Sequence, residues 1–359
     1  MIPKYQYIAD RLRAGLTDDG PSRITKLPTE KELCARYQVS RQTVRQALHQ
    51  LETEGLITRR QGSGAYATGL HAESAYNQIA VLLPTDSDYT YARLRNDLQT
   101  PLSKEGFSVS VYITEHNIAR ERQILSQLLD QSLRGLIVDP VRNALPNPNL
   151  DLYERLWNRH LPTVFLHTPY ENFPPHVAIT EDNFTGAALL THYLIDGKHT
   201  RLGGIFRGDT REGFERYIGF VHTCADAGLM PDDHCIGWYD TEDLLLLQKK
   251  QATGFLTDFI RQKFSACSAI VCQDDEIAYW LVKELTHQGI HVPDDMSVVS
   301  FDNSFLCDFS TPTLTSLALH GNLASYAADA LLAQLRGRPF ESVRLSYGLV
   351  HRDSSLALA

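Results

Sequence analysis

Over the first 70 positions apolar residues recur at helical spacing. Tyr5, Ile8, Ala9, Leu12 and Leu16 fall three and four apart and predict an amphipathic helix, ended by Gly20-Pro21. A second helix is predicted from Leu27-Pro28-Thr29-Glu30-Lys31-Glu32-Leu33, where Thr29 and Glu32 have the spacing of a capping box. After the turn Tyr37-Gln38-Val39, Ser40 is placed to cap a third helix. On that helix Val44, Ala47, Leu48 and Leu51 form one apolar face, and Gly55 ends it. Two short strands, at 56–60 and 65–68, flank Gln61-Gly62-Ser63-Gly64 and predict a hairpin with a glycine-containing tip.

Residues 69–77 are small and polar without periodicity and read as a linker. From Gln78 the rhythm changes. Ile79-Ala80-Val81-Leu82-Leu83 is a continuous apolar run, as expected of a strand buried on both faces of a parallel sheet. Further strands are expected at 107–113, 135–138 and 162–166, alternating with helices near 91–105, 118–131 and 150–159. The pattern then repeats from Val177. Strands follow at 177–179, 202–206, 269–272 and 297–300, with helices at 183–196, 212–227, about 246–262 and 275–288. A last helix near 321–336 and a last strand near 343–350 complete it. Such alternation predicts βαβ units and two parallel α/β lobes of similar size. The expected organisation is a winged helix-turn-helix over 1–68, the linker 69–77, and a two-lobed body over 78–359.

Charge sharpens this division. The chain of 359 residues carries a net charge of -9. Residues 1–70 nevertheless hold 11 Lys and Arg against 7 Asp and Glu, whereas the remainder holds 23 against 36. A basic excess confined to the first domain is the electrostatic footprint that duplex binding needs, and an acidic body is repelled by phosphate. On the third helix Arg41, Gln42 and Arg45 lie opposite the apolar face and near its N-terminus. Arg pairs with guanine edges or phosphate and Gln with adenine, so this helix reads as one that enters the major groove. Thr43 can donate to phosphate. At the hairpin, Gln61 can hydrogen-bond, and Gly62 and Gly64 allow backbone to approach a groove closely, with Ser63 beside them. A solvated basic face is the competing reading of Arg41 and Arg45 taken alone.

Residues 3–68 resemble the GntR-type winged helix. The resemblance lies in Leu27–Leu33, Val39–Leu48, Leu51-Glu52-Thr53-Glu54-Gly55-Leu56-Ile57 and Arg59-Arg60-Gln61-Gly62-Ser63-Gly64. It implies a phosphate or base contact from Lys31. Residues 78–356 resemble the effector domain of LacI/GalR-type regulators, itself similar to periplasmic sugar-binding proteins. The residues are Glu181-Asp182-Asn183, Asp196-Gly197-Lys198-His199, Arg216–Phe220, Gln273–Ala278, Val299–Ser304, Thr313–Ser316 and His351–Ser355. This second likeness implies a small carbohydrate bound between the lobes, with a pentose such as arabinose favoured. It further implies a homodimer that places two heads on near-palindromic operator DNA. LacI-type proteins enter DNA with their own helix-turn-helix and a hinge helix. Here the wing and linker stand in place of both, so operator bending by a hinge helix is not implied.

The same likeness makes Arg216 a polyol-clamping group and Asp302 a cleft carboxylate. Asp274 stands where several relatives carry Asn, which favours a neutral ligand rich in hydroxyls. Carboxylates and Arg suit sugar hydroxyls, and aromatic faces cover the apolar side of a ring. The ends of other expected strands add Asp86, Tyr89, Tyr91, His167 and Arg207. Tyr89 and Tyr91 fit a surface loop equally well, His167 an ordinary loop end, Asp182 a helix cap, and Asp302 with Arg216 a ligand-free salt bridge. Asp275 reads as a carboxylate at a helix start, favoured by the dipole.

The six cysteines form no CxxC pair and read as reduced thiols, with no zinc site. No signal pattern and no long apolar run point to export or a membrane, so a cytoplasmic protein is expected. No cofactor and no enzymatic constellation is expected. The alternative is a GntR head on an aminotransferase-like enzyme. That needs a pyridoxal-binding Lys at an apolar strand end, and Lys249, Lys250, Lys263 and Lys283 are not so placed.

Overall fold

In the computed structural model the described residues are 4, 5, 8, 9, 11 and 12, then 27–53, 57–60, 64–67, 77–86, 89–171, 176–230 and 232–357. Leu16, Gly20-Pro21, Gly55, Gln61, Gly62, Ser63 and linker positions 69–76 lie outside them. The described residues from 4 to 12 are helical. They pack Ile8, Ala9 and Leu12 with Leu33, Val44, Ala47, Leu48, Leu51 and Ile57 into one small core. Helix α1 (Glu30–Tyr37) opens on the expected capping box of Thr29 and Glu32. In α2 (Arg41–Thr53) the Ser40 hydroxyl accepts from the Thr43 amide at 3.2 Å. Strands β1 (Ile57–Arg60) and β2 (Gly64–Ala67) pair antiparallel, Arg60 opposite Gly64, as the hairpin pattern predicts.

The body is two six-stranded sheets. The first lobe takes β3 (Gln78–Leu83), β4 (Ser108–Ile113), β5 (Leu133–Val138), β6 (Thr163–Leu166), β7 (Val177–Glu181) and β13 (Val343–Leu345). The second takes β8 (Leu202–Arg207), β9 (Ile236–Tyr239), β10 (Ala269–Cys272), β11 (Ser297–Phe301), β12 (Thr315–Leu319) and β14 (Tyr347–Val350). All body pairings are parallel except β12 with β14. The intervening helices are α3 (Tyr89–Lys104), α4 (Ile118–Leu128), α5 (Leu150–Trp157), α6 (Asn183–Asp196), α7 (Arg211–Asp226), α8 (Thr241–Lys250), α9 (Gly254–Gln262), α10 (Asp275–His287), α11 (Leu306–Phe309) and α12 (Leu323–Leu335). They cover both faces of each sheet, so the continuous apolar strands are buried on both sides, as in Ile79–Leu83.

Several boundaries differ from the sequence reading, each for a tertiary reason. The strand at Val177 does not open the second lobe; it pairs with β6 and closes the first. The helix expected at 246–262 is two helices. Asp240 starts α8 with its own capping box, and Gln251, in left-handed backbone at φ 51°, ends it. Strands β9 and β12 are too short and too mixed in polarity to have been foreseen. The last helix, α12, packs its alanine-rich face on the first lobe, not the second. The final strand at 343–350 is two, β13 and β14, and they belong to different sheets. The chain thus passes between the lobes after β7, after β12 and between β13 and β14. Interlobe geometry depends on these three connections.

Helices α6 and α7 approach closely where Gly219 faces α6. A Cβ there would lie 2.3 Å from the Phe184 carbonyl oxygen. Gly219→Ala is therefore expected to destabilise the body by about 2 kcal/mol or more through overpacking against backbone. Urea denaturation followed by circular dichroism measures this.

Candidate functional site

Two sites emerge, one in each part of the chain. On the head, Lys31, Arg41, Gln42 and Arg45 are exposed on α1 and α2, opposite the buried face of Val44, Ala47 and Leu48. Thr43 is half-buried and its hydroxyl lies 2.9 Å from Ser40 Oγ. Arg45 has a partner within the head. Its Nε donates to Glu30 at 3.0 Å, tying α2 to α1. An exposed pair of this kind contributes about 0–1 kcal/mol. It does orient the guanidinium along the helix face.

On the body, parallel strands deliver their carboxyl ends to the boundary between the lobes, the crevice where open α/β sheets bind ligands. The rim is closed by direct bonds. Asn143 Nδ2 donates to Glu212 at 3.0 Å and the Arg211 amide to Asn143 Oδ1 at 2.8 Å. The Thr168 amide donates to Glu212 at 3.0 Å, and Arg142 lies 3.4 Å from Asp209.

From the first lobe, His167 follows β6 in left-handed backbone, φ 59°. Its Nδ1 lies 2.7 Å from Glu181 Oε1 and its Nε2 3.7 Å from Asp139 Oδ2. Burial works against a charged ring, but Glu181 and Asp139 outweigh it and hold the imidazole pKa well above its ordinary value. Burial likewise opposes the Glu181 carboxylate, and His167 reverses that, keeping it low. The two form a buried ion pair. Asp139 is pushed up to about 6 by burial, against His167 and the Tyr91 hydroxyl. Asp139 Oδ2 and Glu181 Oε2 are both buried and have no hydrogen-bond partner among the described residues. Such groups are rare in folded proteins and point to a missing donor.

From the second lobe, Arg216 on α7 is buried. Its Nε donates to Asn183 Oδ1 at 2.9 Å, its Nη2 to the Tyr347 hydroxyl at 3.1 Å, and its Nη1 to the Gln273 carbonyl. The guanidinium stacks over Phe301 at 4.1 Å and reaches Asp302 at 3.6 Å. Asp302 is open to the cleft and sits at φ 93°. Its surroundings push its carboxyl up to about 7. The surrounding protein removes part of its hydration, although 45% of the side chain stays exposed; Asp275, Asp274 and Glu181 add to the shift and Arg216 opposes it.

The other expected residues divide. Tyr91 faces Asp139. Arg207, at the end of β8, is held by Asp209 at 2.9 Å and the Thr241 hydroxyl at 2.6 Å, so it braces the wall. Asp274 caps α10 by accepting from the Ile277 amide and receives the Tyr239 hydroxyl. Asp182 caps α6 through the Thr185 amide. Asp86 is exposed beyond β3. Tyr89 starts α3, and its side chain lies outside the described residues. The sequence reading missed Asp139, Glu181, Glu212 and Tyr347. Asp139 and Glu181 had a legible signal, since each stands at the end of an apolar strand, as His167 does. Tyr347 had none, because β14 was not separable from β13.

Among the described residues the six cysteines are free and no cluster of His, Cys, Asp or Glu could hold a metal. No described helix is long and apolar enough to cross a membrane.

Comparison with known proteins agrees with this division. Residues 4–66 match the gntR family of bacterial regulatory proteins, and residues 191–355 match the periplasmic binding protein-like domain. The chain therefore joins a gntR-family DNA-binding head to a periplasmic-binding-protein-like body, the architecture of a transcription regulator. It is similar to the arabinose metabolism transcriptional repressors of Geobacillus stearothermophilus and Halalkalibacterium halodurans. The first is 29% identical over 95% of this chain and 94% of the relative, the second 28% identical over 88% and 85%. The fold is shared with the transcription regulator CcpA of Lactococcus lactis, at a TM-score of 0.66 and 19% identity over 78% of this chain and 99% of that one. It is shared also with a complex of the transcriptional regulator CelR with cellobiose, at 0.66 and 19% over 91% and 100%. These relatives are regulators, which sets aside the aminotransferase-like alternative.

Asp302 supplies a pH test. Its folded value lies above its unfolded one, so the ionised group works against the fold above pH 7 and ceases to do so by about pH 4. Asp302→Asn is expected to raise the unfolding temperature of the sugar-free protein at pH 8. The advantage is expected to vanish as the pH is lowered toward 4, as read by scanning calorimetry.

Proposed function

We propose that this chain is a cytoplasmic repressor of sugar-utilisation genes, released from its operator by a small carbohydrate bound between the lobes. The observation that carries the reading is the pair of buried carboxylate oxygens on Asp139 and Glu181 at the cleft that accept no hydrogen bond among the described residues. A sugar hydroxyl is a neutral donor of the right size to complete each one. Asp302 would accept further hydroxyls. Arg216 has five N–H groups, and those its three protein acceptors leave over are available to a ligand oxygen. A carboxylate-lined cleft disfavours an anionic ligand. Similarity to the arabinose metabolism repressors favours a pentose, arabinose first.

The body is read as a homodimer, which sets two heads on a near-palindromic operator. Arg41, Gln42 and Arg45 would enter the major groove, with Lys31 and Thr43 on phosphate and the wing residues Gln61, Gly62 and Ser63 at the adjacent groove. Sugar binding favours one interlobe arrangement, and a coupling of roughly 1–3 kcal/mol is enough for a 5–150-fold change in operator affinity.

Gel-shift titration with a sugar panel that includes L-arabinose tests the coupling. Release by a sugar that calorimetry shows to bind supports it, and operator affinity unmoved by every bound sugar rejects it. Arg216→Ala is expected to keep operator affinity and lose the response. Arg41→Ala is expected to weaken operator binding by about 1–3 kcal/mol and leave sugar binding unchanged.

A further inference from the structure

The loop after β11 places Asp302 and Asn303 both in left-handed backbone, at φ 93° and 45°. Asn and Asp enter left-handed backbone more readily than most residues, but φ 93° at Asp302 lies beyond the usual well and calls for restraint from its surroundings. Much of that restraint converges on one carboxylate outside the expected site. Asp275, the first residue of α10, is 1% exposed. It accepts from Ser300 Oγ at 2.5 Å, from Ser316 Oγ at 2.6 Å and from the Ser304 amide at 2.5 Å. Ser300 and Ser304 bracket Asp302 in the chain, and Ser316 holds the neighbouring strand β12 beside it. The Asn303 amide then donates to Ser316 Oγ at 3.0 Å, and Arg352 Nη2 to Asn303 Oδ1 at 2.8 Å. A helix-start carboxylate needs only its own backbone amides. This one spends its oxygens on the loop instead.

We propose that Asp275 is a positioning residue for the effector site: its enclosed carboxylate fastens Ser300, Ser304 and Ser316 and so presents Asp302 to Arg216 and the cleft. The proposal rests on reading that cleft as the effector site. Asp275 acts on Asp302 through charge as well. The groups facing Asp302 are Arg216 on α7, Asp275 on α10 with its cap Asp274, Glu181 on β7 and the Tyr347 hydroxyl on β14. Removing the negative charge of Asp275 makes Asp302 a stronger acid. An ionised Asp302 accepts sugar hydroxyls best, so affinity rises with pH through the range in which Asp302 titrates.

The test uses the full chain as wild type, Asp275→Asn, Asp302→Asn and Ser316→Ala. Carboxyl-carbon NMR of labelled aspartate without sugar follows titration, and calorimetry with L-arabinose from pH 5.5 to 8.5 follows binding. The resonance titrating near pH 7 is expected to be absent in Asp302→Asn and to move to lower pH in Asp275→Asn. In Asp275→Asn the L-arabinose affinity at pH 8 is expected to fall on the order of tenfold, as when support behind a ligating group is lost. The rise of affinity with pH should also be complete at lower pH. Ser316→Ala keeps the charge and cuts a tether, so affinity falls while the titration stays at or above its wild-type pH. This variant decides positioning if Asp275→Asn does not fold. Wild-type titration in Asp275→Asn, or wild-type affinity in Ser316→Ala, overturns the proposal. If wild-type protein takes no L-arabinose, the choice of sugar is what fails, and the sugar-free titration of Asp275→Asn still decides whether Asp275 governs Asp302.

Discussion

A guanidinium buried between two lobes must find acceptors, and Arg216 finds them on three separate segments. It ties α7 to the start of α6 through Asn183, to the end of β10 through the Gln273 carbonyl, and to β14 through Tyr347. Burying a charge is costly unless it is paired and hydrogen-bonded. Burial alone would lower its pKa, and the facing Tyr347, Asp302, Glu181 and Asp274 more than offset that. The second-lobe wall of the cleft is therefore organised around Arg216 and braced by Arg207, with Asp302 and Asp274 of its own lobe and Glu181 of the other within the field of Arg216.

The first-lobe wall uses the same chemistry with the signs arranged differently. His167 is charged because two buried carboxylates surround it, and each of those keeps one oxygen unsatisfied. Burying polar groups half-satisfied is unfavourable for folding alone. It is what a site for a neutral, multiply hydroxylated ligand requires. Natural proteins commonly depart from full internal satisfaction where function demands it.

Head and body solve separate electrostatic problems. The head keeps exposed Lys and Arg on one side of a small core, and even there Glu30 holds Arg45 in place. The body is acidic overall, keeps most of its charges on the surface, and buries Asp139, Glu181, Asp209 and Arg216 at the crevice. The proposed duplex contacts of the head and ligand contacts of the body therefore fall on different residues. On the proposed function, coupling between them would pass through the arrangement of the lobes, which the three interlobe connections and the Asn143–Glu212 rim define.

The chain alone determined most of what depends on local periodicity, the break between α8 and α9 excepted. The capping box at Thr29, the apolar face of α2, the paired strands of the hairpin and the buried strands at 79–83 and 269–272 follow from spacing that short stretches impose by themselves. Arg216, Asp302 and His167 were legible because a polar residue closing an apolar strand, or recurring in a family pattern, stands out along the sequence. What only the tertiary structure decided is pairing between distant segments. That β7 and α12 join the first lobe, that 343–350 divides between two sheets, and that Arg45 leans on Glu30 all depend on contacts between residues far apart in the chain. The roles of Asp139, Glu181 and Asp275 belong to the same class. A carboxylate's sign can be read from one letter, but its partners, burial and affinity for a proton are set by groups that only folding brings within reach.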